Sequence, residues 1–326
     1  MTILPSRRHF RNLILLLVVG MGCLIALRLA SSSPIHWLWA LPLFYLAYLN
    51  WNAFFFVHPF RMRYWMLKGP DFASPVYEKV LFKSRDGLTL FGWYLPGRSD
   101  AVVVLVHGLG GSGLTMEIHA AFLLRAGYNV LLIDLRAHGS SDGDTSTYGV
   151  LEANDVAGAV DYLLSRGDID ANKIGVLGIS LGAQAALRGA LLSESIHALV
   201  LEGLGPADIQ DRIVRRGAKP VTLWSKIVYA VTLFDQRVFN FFSGQHPTPL
   251  TVEIGKIAPR PIMLIACGKN EVLFNRLFYA AAKQSCTLWE LPEARHAAAL
   301  VLEPKEYPRR IIEFFNRSLH VNGEGG

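Results

Sequence analysis

Acidic side chains are missing from the first 70 residues: no aspartate or glutamate precedes Asp71, whereas Arg7, Arg8, Arg11, Arg28, Arg61, Arg63 and Lys68 all do. With 32 Lys/Arg and 26 Asp/Glu in all, residues 71–326 keep 25 basic and 26 acidic residues, a net −1 behind the overall +6. The main body thus has no basic surplus for a nucleic-acid face. The basic character belongs to the N-terminal region, where it suits an anionic membrane surface. Charge is sparse throughout, 18% against 52% hydrophobic. That is more apolar than an ordinary soluble domain, so part of the chain is expected in a membrane. Cysteine is scarce too. Cys23, Cys267 and Cys286 form neither a disulfide framework nor a metal-ligand spacing, and they read as small buried hydrophobes. No metal site, internal repeat or low-complexity tract is visible.

Long apolar runs are what the N-terminal region does have. Residues 13–27 are uncharged, and the run extends to residue 30 if Arg28 snorkels. Ser31, Ser32, Ser33 and Pro34 break it, and residues 35–57 then pass without a charge, with Pro42 as a kink. These lengths predict a transmembrane helical hairpin, helices about 13–30 and 35–57, within an anchor of residues 1–70. Positive charge flanks both outer ends, so the positive-inside rule places both termini, and the domain that follows, on the cytoplasmic side. Two other readings stand beside this one: a signal peptide for the first run, and an interfacial helix or a cap for the second.

From residue 76 the pattern changes. Residues 76–83 and 88–95 read as strands around the turn signal Ser84-Arg85-Asp86-Gly87. Residues 101–106, 129–134, 174–179, 198–201, 261–266 and 287–291 are short apolar strands. Helices are expected at about 116–125, 151–165, 274–284 and 304–317, and an alanine-rich one follows the turn after residue 179, within the stretch that ends at Arg188. This alternation predicts an α/β fold, a mostly parallel sheet with helices on both faces, in a domain of residues 71–326. An insertion of about 203–257 reads as a helical cap packed on that sheet. Its aromatics, Trp224, Tyr229, Phe234, Phe239, Phe241 and Phe242, also allow a lipid-facing lid that forms an acyl pocket.

The chemistry centres on Gly178-Ile179-Ser180-Leu181-Gly182, a G-x-S-x-G between a strand and a helix. Such a turn pushes the serine hydroxyl out above the sheet, and the helix N-terminus aims N–H groups at a developing oxyanion. The loop from His107 through Gly108, Leu109, Gly110, Gly111, Ser112 and Gly113 is glycine-rich. It lacks the lysine of a P-loop and does not match GxGxxG, so no nucleotide cofactor is implied.

Taken together, the His107–Gly113 loop, the stretch from Asp134 to Gly143, the serine motif and a late His296 resemble the α/β-hydrolase superfamily. The chain is most similar to its membrane-anchored serine hydrolases, with an entry hairpin Arg85-Asp86-Gly87-Leu88 running to Pro96. The resemblance covers about residues 75–318. It implies Ser180 as nucleophile, with His107 and His138 structural. A serine hydroxyl needs a base, and His296, after the last strand, has the right order along the chain. The family pattern for the acid is G-x-x-D; here Gly268-Lys269-Asn270-Glu271 puts a glutamate in that place. Glu202 is the alternative acid, and Glu293 a weaker one. The amides of Leu109 and Leu181 are the expected oxyanion hole. Asp134, Arg136, Asp142, Glu152 and Asp155 are expected to brace loops.

The expected activity is serine hydrolysis, through an acyl-enzyme, of an ester or thioester in an acylated or lipid-like substrate. The expected partners are the membrane lipid bilayer and that substrate, with no nucleic acid and no cofactor. Amide or peptide hydrolysis by the same residues, or a non-catalytic binding protein of this fold, are the alternatives.

Overall fold

The computed structural model describes residues 7–31, 37–61, 69–208, 210–212 and 223–321. In chain order its main elements are α1 (Arg7–Ala30), α2 (Trp37–Val57), β1 (Glu78–Lys83), β2 (Thr89–Leu95), β3 (Val102–Val106), α3 (Glu117–Arg125) and β4 (Asn129–Ile133). They continue with α4 (Glu152–Arg166), β5 (Ile174–Ile179), α5 (Leu181–Leu192), β6 (Ala198–Glu202), α6 (Leu223–Ser243) and β7 (Ile262–Cys267). The last are α7 (Lys269–Ala281), β8 (Cys286–Leu291) and α8 (Glu306–Ser318). The chain divides into two compact units. One comprises Met1–Phe60, Gly143–Thr147 and Pro220–His246; the other comprises Arg61–Asp142, Tyr148–Lys219 and Pro247–Gly326.

The larger unit is built on an eight-stranded sheet in the order β1-β2-β4-β3-β5-β6-β7-β8. β1 and β2 join antiparallel at one edge, and β4 to β8 run parallel. Strand composition follows position. β1, at the edge, buries only Val80 and Phe82 of its six residues, whereas β3 and β4 are buried at every residue, as strands covered on both faces must be. Successive side chains point to opposite faces. Val102, Val104 and Val106 therefore join the core under α4 and α5, with Val156, Val160 and Leu187. Val103 and Leu105 join the core under α3 and α8, with Leu123, Ile311 and Phe315.

One boundary differs in a way that matters. α7 begins at Lys269 instead of about residue 274, so Glu271 lies in its first turn. Lys269-Asn270-Glu271 has no apolar periodicity to announce a helix. It starts because Gly268, at φ 86°, turns the chain directly out of β7.

In the smaller unit, α1 starts at Arg7, before the apolar run. Among the described residues one helix, Arg7–Leu29, is long and apolar enough to cross a membrane, with 23 residues. Leu41–Val57 is apolar but shorter, so the expected pair of spanning helices reduces to one candidate. The turn residues Ser32, Ser33 and Pro34, and the flanking Arg63 and Lys68, lie outside the described residues.

Within the insertion, α6 falls in this smaller unit. Its Phe242 is fully buried with Ala53, Phe54 and Val57 of α2, and its last carbonyls are held by side chains of α1. Residues 209 and 213–222 of the expected cap, and the side chain of Trp224, lie outside the described residues.

Candidate active site

β5 is fixed by parallel pairing to β3 on one side and β6 on the other, so its end can carry a strained turn. Ser180 occupies that turn at φ 55° and ψ −112°, a region that costs a non-glycine residue roughly 1–3 kcal/mol. Two glycines make it sterically possible. A Cβ on Gly178 would lie 2.3 Å from the Gly182 carbonyl oxygen, and one on Gly182 would lie 2.2 Å from that of Val106. The Ser180 N–H donates to the Glu202 carbonyl at 2.8 Å, which ties the elbow to the end of β6.

Ser180 Oγ lies 2.9 Å from His296 Nε2. On the other side of the ring, His296 Nδ1 is hydrogen-bonded to Glu271 Oε1. In the neutral imidazole that satisfies both contacts, Nδ1–H donates to the carboxylate and Nε2 accepts the serine O–H. Glu271 Oε2 in turn accepts the Cys267 N–H at 3.0 Å. The hydrogen bond to Glu271 is the main reason the His296 pKa lies above its ordinary value, and partial burial opposes it. Room for the ring comes from Gly203, at φ 68°, where a Cβ would lie 3.0 Å from His296 Cε1.

The structure brings Glu271, and not Glu202, to the histidine. Glu202 is 1% exposed. Its Oε1 accepts the Ala299 N–H at 3.0 Å and the Cys267 S–H at 3.7 Å, and its Oε2 accepts the Tyr307 hydroxyl at 2.6 Å. Burial pushes its pKa up. Its carbonyl holds the serine elbow while its carboxylate holds Ala299, three residues past His296. Glu202 therefore joins the Ser180 turn to the histidine loop. Glu293 is exposed on the turn after β8.

The candidate oxyanion donors lie on either side of the serine. Leu181 is the first residue of α5, so its N–H has no acceptor within the helix. The loop that carries Leu109 passes close by: a Cβ on Gly108 would be 3.5 Å from Ser180 Cβ. That loop is braced mostly by buried groups. His107 Nε2 accepts the Leu135 N–H at 3.1 Å, and burial lowers the His107 pKa to about 4, which keeps it neutral. Burial does the same to His138. Asp134 accepts the N–H groups of Gly113 and Ser140 at 2.7 and 2.8 Å. Arg136 pairs with buried Asp155 at 2.6 Å and with Asp86 at 2.7 Å. Among the described residues no group of three His, Cys, Asp or Glu is placed to hold a metal ion.

Sequence reasoning missed Cys267, Tyr307 and Gly203. Cys267 is buried as expected, but its N–H and S–H each hold one of two glutamates. Its position directly before Gly268 was the available signal. Tyr307 meets Glu202 from 105 residues away, and no local pattern marks it.

A mostly parallel sheet of this order, with a serine elbow at the carboxyl end of β5, is the architecture of an α/β hydrolase. The chain belongs to the alpha/beta hydrolase family, whose profile matches residues 103–313. It is 26% identical over 270 residues to the uncharacterized protein YfhR of Escherichia coli (strain K12), covering 77% of this chain and 84% of that one. It is 29% identical over 256 residues to the alpha/beta hydrolase domain-containing protein WAV2 of Arabidopsis thaliana, covering 74% and 79%. Among solved structures it is similar to the Pyrococcus furiosus esterase Pf2001, with a TM-score of 0.64 at 27% identity, over 81% of this chain and 100% of that one. Family and neighbours together support a general hydrolase or esterase activity.

Proposed function

We propose that the protein is a membrane-tethered serine hydrolase that cleaves a carboxylic ester or thioester of an acylated or lipid-like substrate. The observation that carries this reading is the continuous hydrogen-bonded path from Ser180 Oγ through His296 to Glu271. Ser180 Oγ attacks the carbonyl carbon as its proton passes to His296 Nε2, and Glu271 stabilises the imidazolium that forms. The Leu109 and Leu181 amides hold the oxyanion. When the tetrahedral intermediate collapses, His296 returns the proton to the leaving alcohol or thiol. Water then attacks the acyl-serine, again giving a proton to His296, and the acid leaves with Ser180 restored. The similarity to a solved esterase favours the ester.

The tether is supported by the apolar length of α1 and by the absence of acidic residues before Asp71. In this proposal α2 completes a hairpin and both termini face the cytoplasm. Hydrolysis of p-nitrophenyl esters of graded chain length by full-length protein in detergent tests the activity. Turnover that disappears in Ser180→Ala supports it; equal turnover in both proteins refutes it.

A further inference from the structure

The outward face of α6 is apolar where a helix in water would be polar. Leu223, Ile227, Val231, Phe234 and Phe241 are 75, 45, 39, 43 and 51% exposed. Their spacing of four, four, three and seven residues sets them in one row along the helix. Lys226, Ala230 and Arg237 complete the exposed face, which contains no acid. The polar residues of α6 are turned the other way. Asp235, Gln236 and Asn240 are half-buried. Asp235 accepts the Tyr45 hydroxyl of α2 at 2.8 Å, and Thr232 donates to the Val228 carbonyl at 2.7 Å. Apolar groups facing out, with polar groups turned in and bonded, is the pattern that lipid imposes on a helix.

The helix is also fixed to the chain's candidate membrane segment. Arg8 donates to the Ser243 carbonyl at 2.6 Å, Arg11 to that of Phe241 at 2.9 Å, and Asn12 to that of Phe242 at 3.1 Å. Three side chains from the start of α1 thus close the last turn of α6, with two cations at its negative end. α1 presents an exposed apolar face of its own, with Leu13, Leu17, Met21 and Leu24. Arg237 lies six residues before the end of α6, about 9 Å along the axis, within the reach of a snorkelling side chain.

We infer that α6 is a lipid-contacting helix, so that the insertion of the hydrolase chain seats in the acyl-chain region of the same bilayer that receives α1. The partner is an anionic bilayer, because the contact face and the adjoining start of α1 carry only cations. This deepens the membrane-tethered reading and rests on it.

The test uses full-length protein in vesicles of phosphatidylcholine and phosphatidylglycerol. p-Benzoylphenylalanine replaces Val231 or Phe234 on the outward face, Leu17 on α1, and Thr232 or Gln236 on the inward face of α6. Lipid adducts are read by mass after illumination. Adducts from positions 231 and 234 at yields comparable to position 17, with their loss at 232 and 236, are expected. Adducts from position 17 alone overturn the assignment of α6 and leave the membrane-tethered reading standing. Adducts from none of the five overturn both. Equal adducts at inward and outward positions, or protein in place of lipid captured at 231 and 234, overturn the lipid-facing stripe.

Discussion

Replacing Glu271 by glutamine separates the roles of the two glutamates. Glu271 accepts two donors, His296 Nδ1–H on one oxygen and the Cys267 N–H on the other. Glutamine has a single oxygen. Either the imidazole or the Cys267 amide must then face an N–H group, and the tautomer that leaves Nε2 free to accept the serine proton is disfavoured. The charge that stabilises the imidazolium is lost as well. A unit-charge pair about 4 Å apart contributes about 4 kcal/mol at an effective dielectric constant near 20. At roughly 1.4 kcal/mol per decade, kcat should fall by about a thousandfold. KM should change little, since Glu271 lies behind the ring.

Glu202→Gln changes the same atom count at a site with different needs. Its one remaining oxygen can keep the Ala299 N–H, and its new amide can donate to the Tyr307 oxygen once that hydroxyl rotates. The second amide N–H and the rotated Tyr307 O–H then lack acceptors, which should lower stability by about 1–3 kcal/mol, but Glu202 does not touch His296, so the kcat loss should stay below about tenfold. Steady-state ester hydrolysis by the two variants, with unfolding temperatures measured alongside, decides between them. A larger loss in Glu202→Gln than in Glu271→Gln, with both proteins folded, would refute the assignment of the acid.

Four further outcomes follow from the same geometry. The proposed mechanism requires neutral His296, and the Glu271 contact raises its pKa, so the acid limb of kcat/KM should lie above about 6.5 and move to lower pH in Glu271→Gln; a limb that does not move contradicts the coupling. The same shift makes the histidine's contribution to stability full below about 6.5 and lost as pH rises through its folded value, which thermal melts across that range can read. Gly203→Ala, which sets a methyl group 3.0 Å from His296 Cε1 at φ 68°, should lower kcat with little change in KM. Gly182→Ala, which sets one 2.2 Å from the Val106 carbonyl oxygen, should destabilise the fold by about 3 kcal/mol or more, seen as a lowered unfolding midpoint.

The parts of this fold legible in the sequence are those coded locally. The five apolar residues of β3 can be buried on both faces and nowhere else, and the serine turn announces itself through the glycines it cannot do without. Glu271 was legible as a position in a pattern. That it begins a helix was not, because the first turn of α7 is polar and the turn at Gly268 supplies its start. Contacts between distant residues left no mark. Nothing near Glu202 points to Tyr307, so a carboxylate at the end of β6 looked like a second acid for the histidine. Nothing near Leu223 says that the α6 carbonyls meet Arg8, Arg11 and Asn12.

The central claim is that Ser180 is a nucleophile activated by His296. A fluorophosphonate forms a covalent adduct only with a serine activated in this way. Full-length protein treated with such a probe, digested and mapped by mass should carry the adduct on the peptide containing Ser180, and Ser180→Ala and His296→Ala should carry none. An unlabelled wild-type protein, or equal labelling of wild type and Ser180→Ala, would contradict the account.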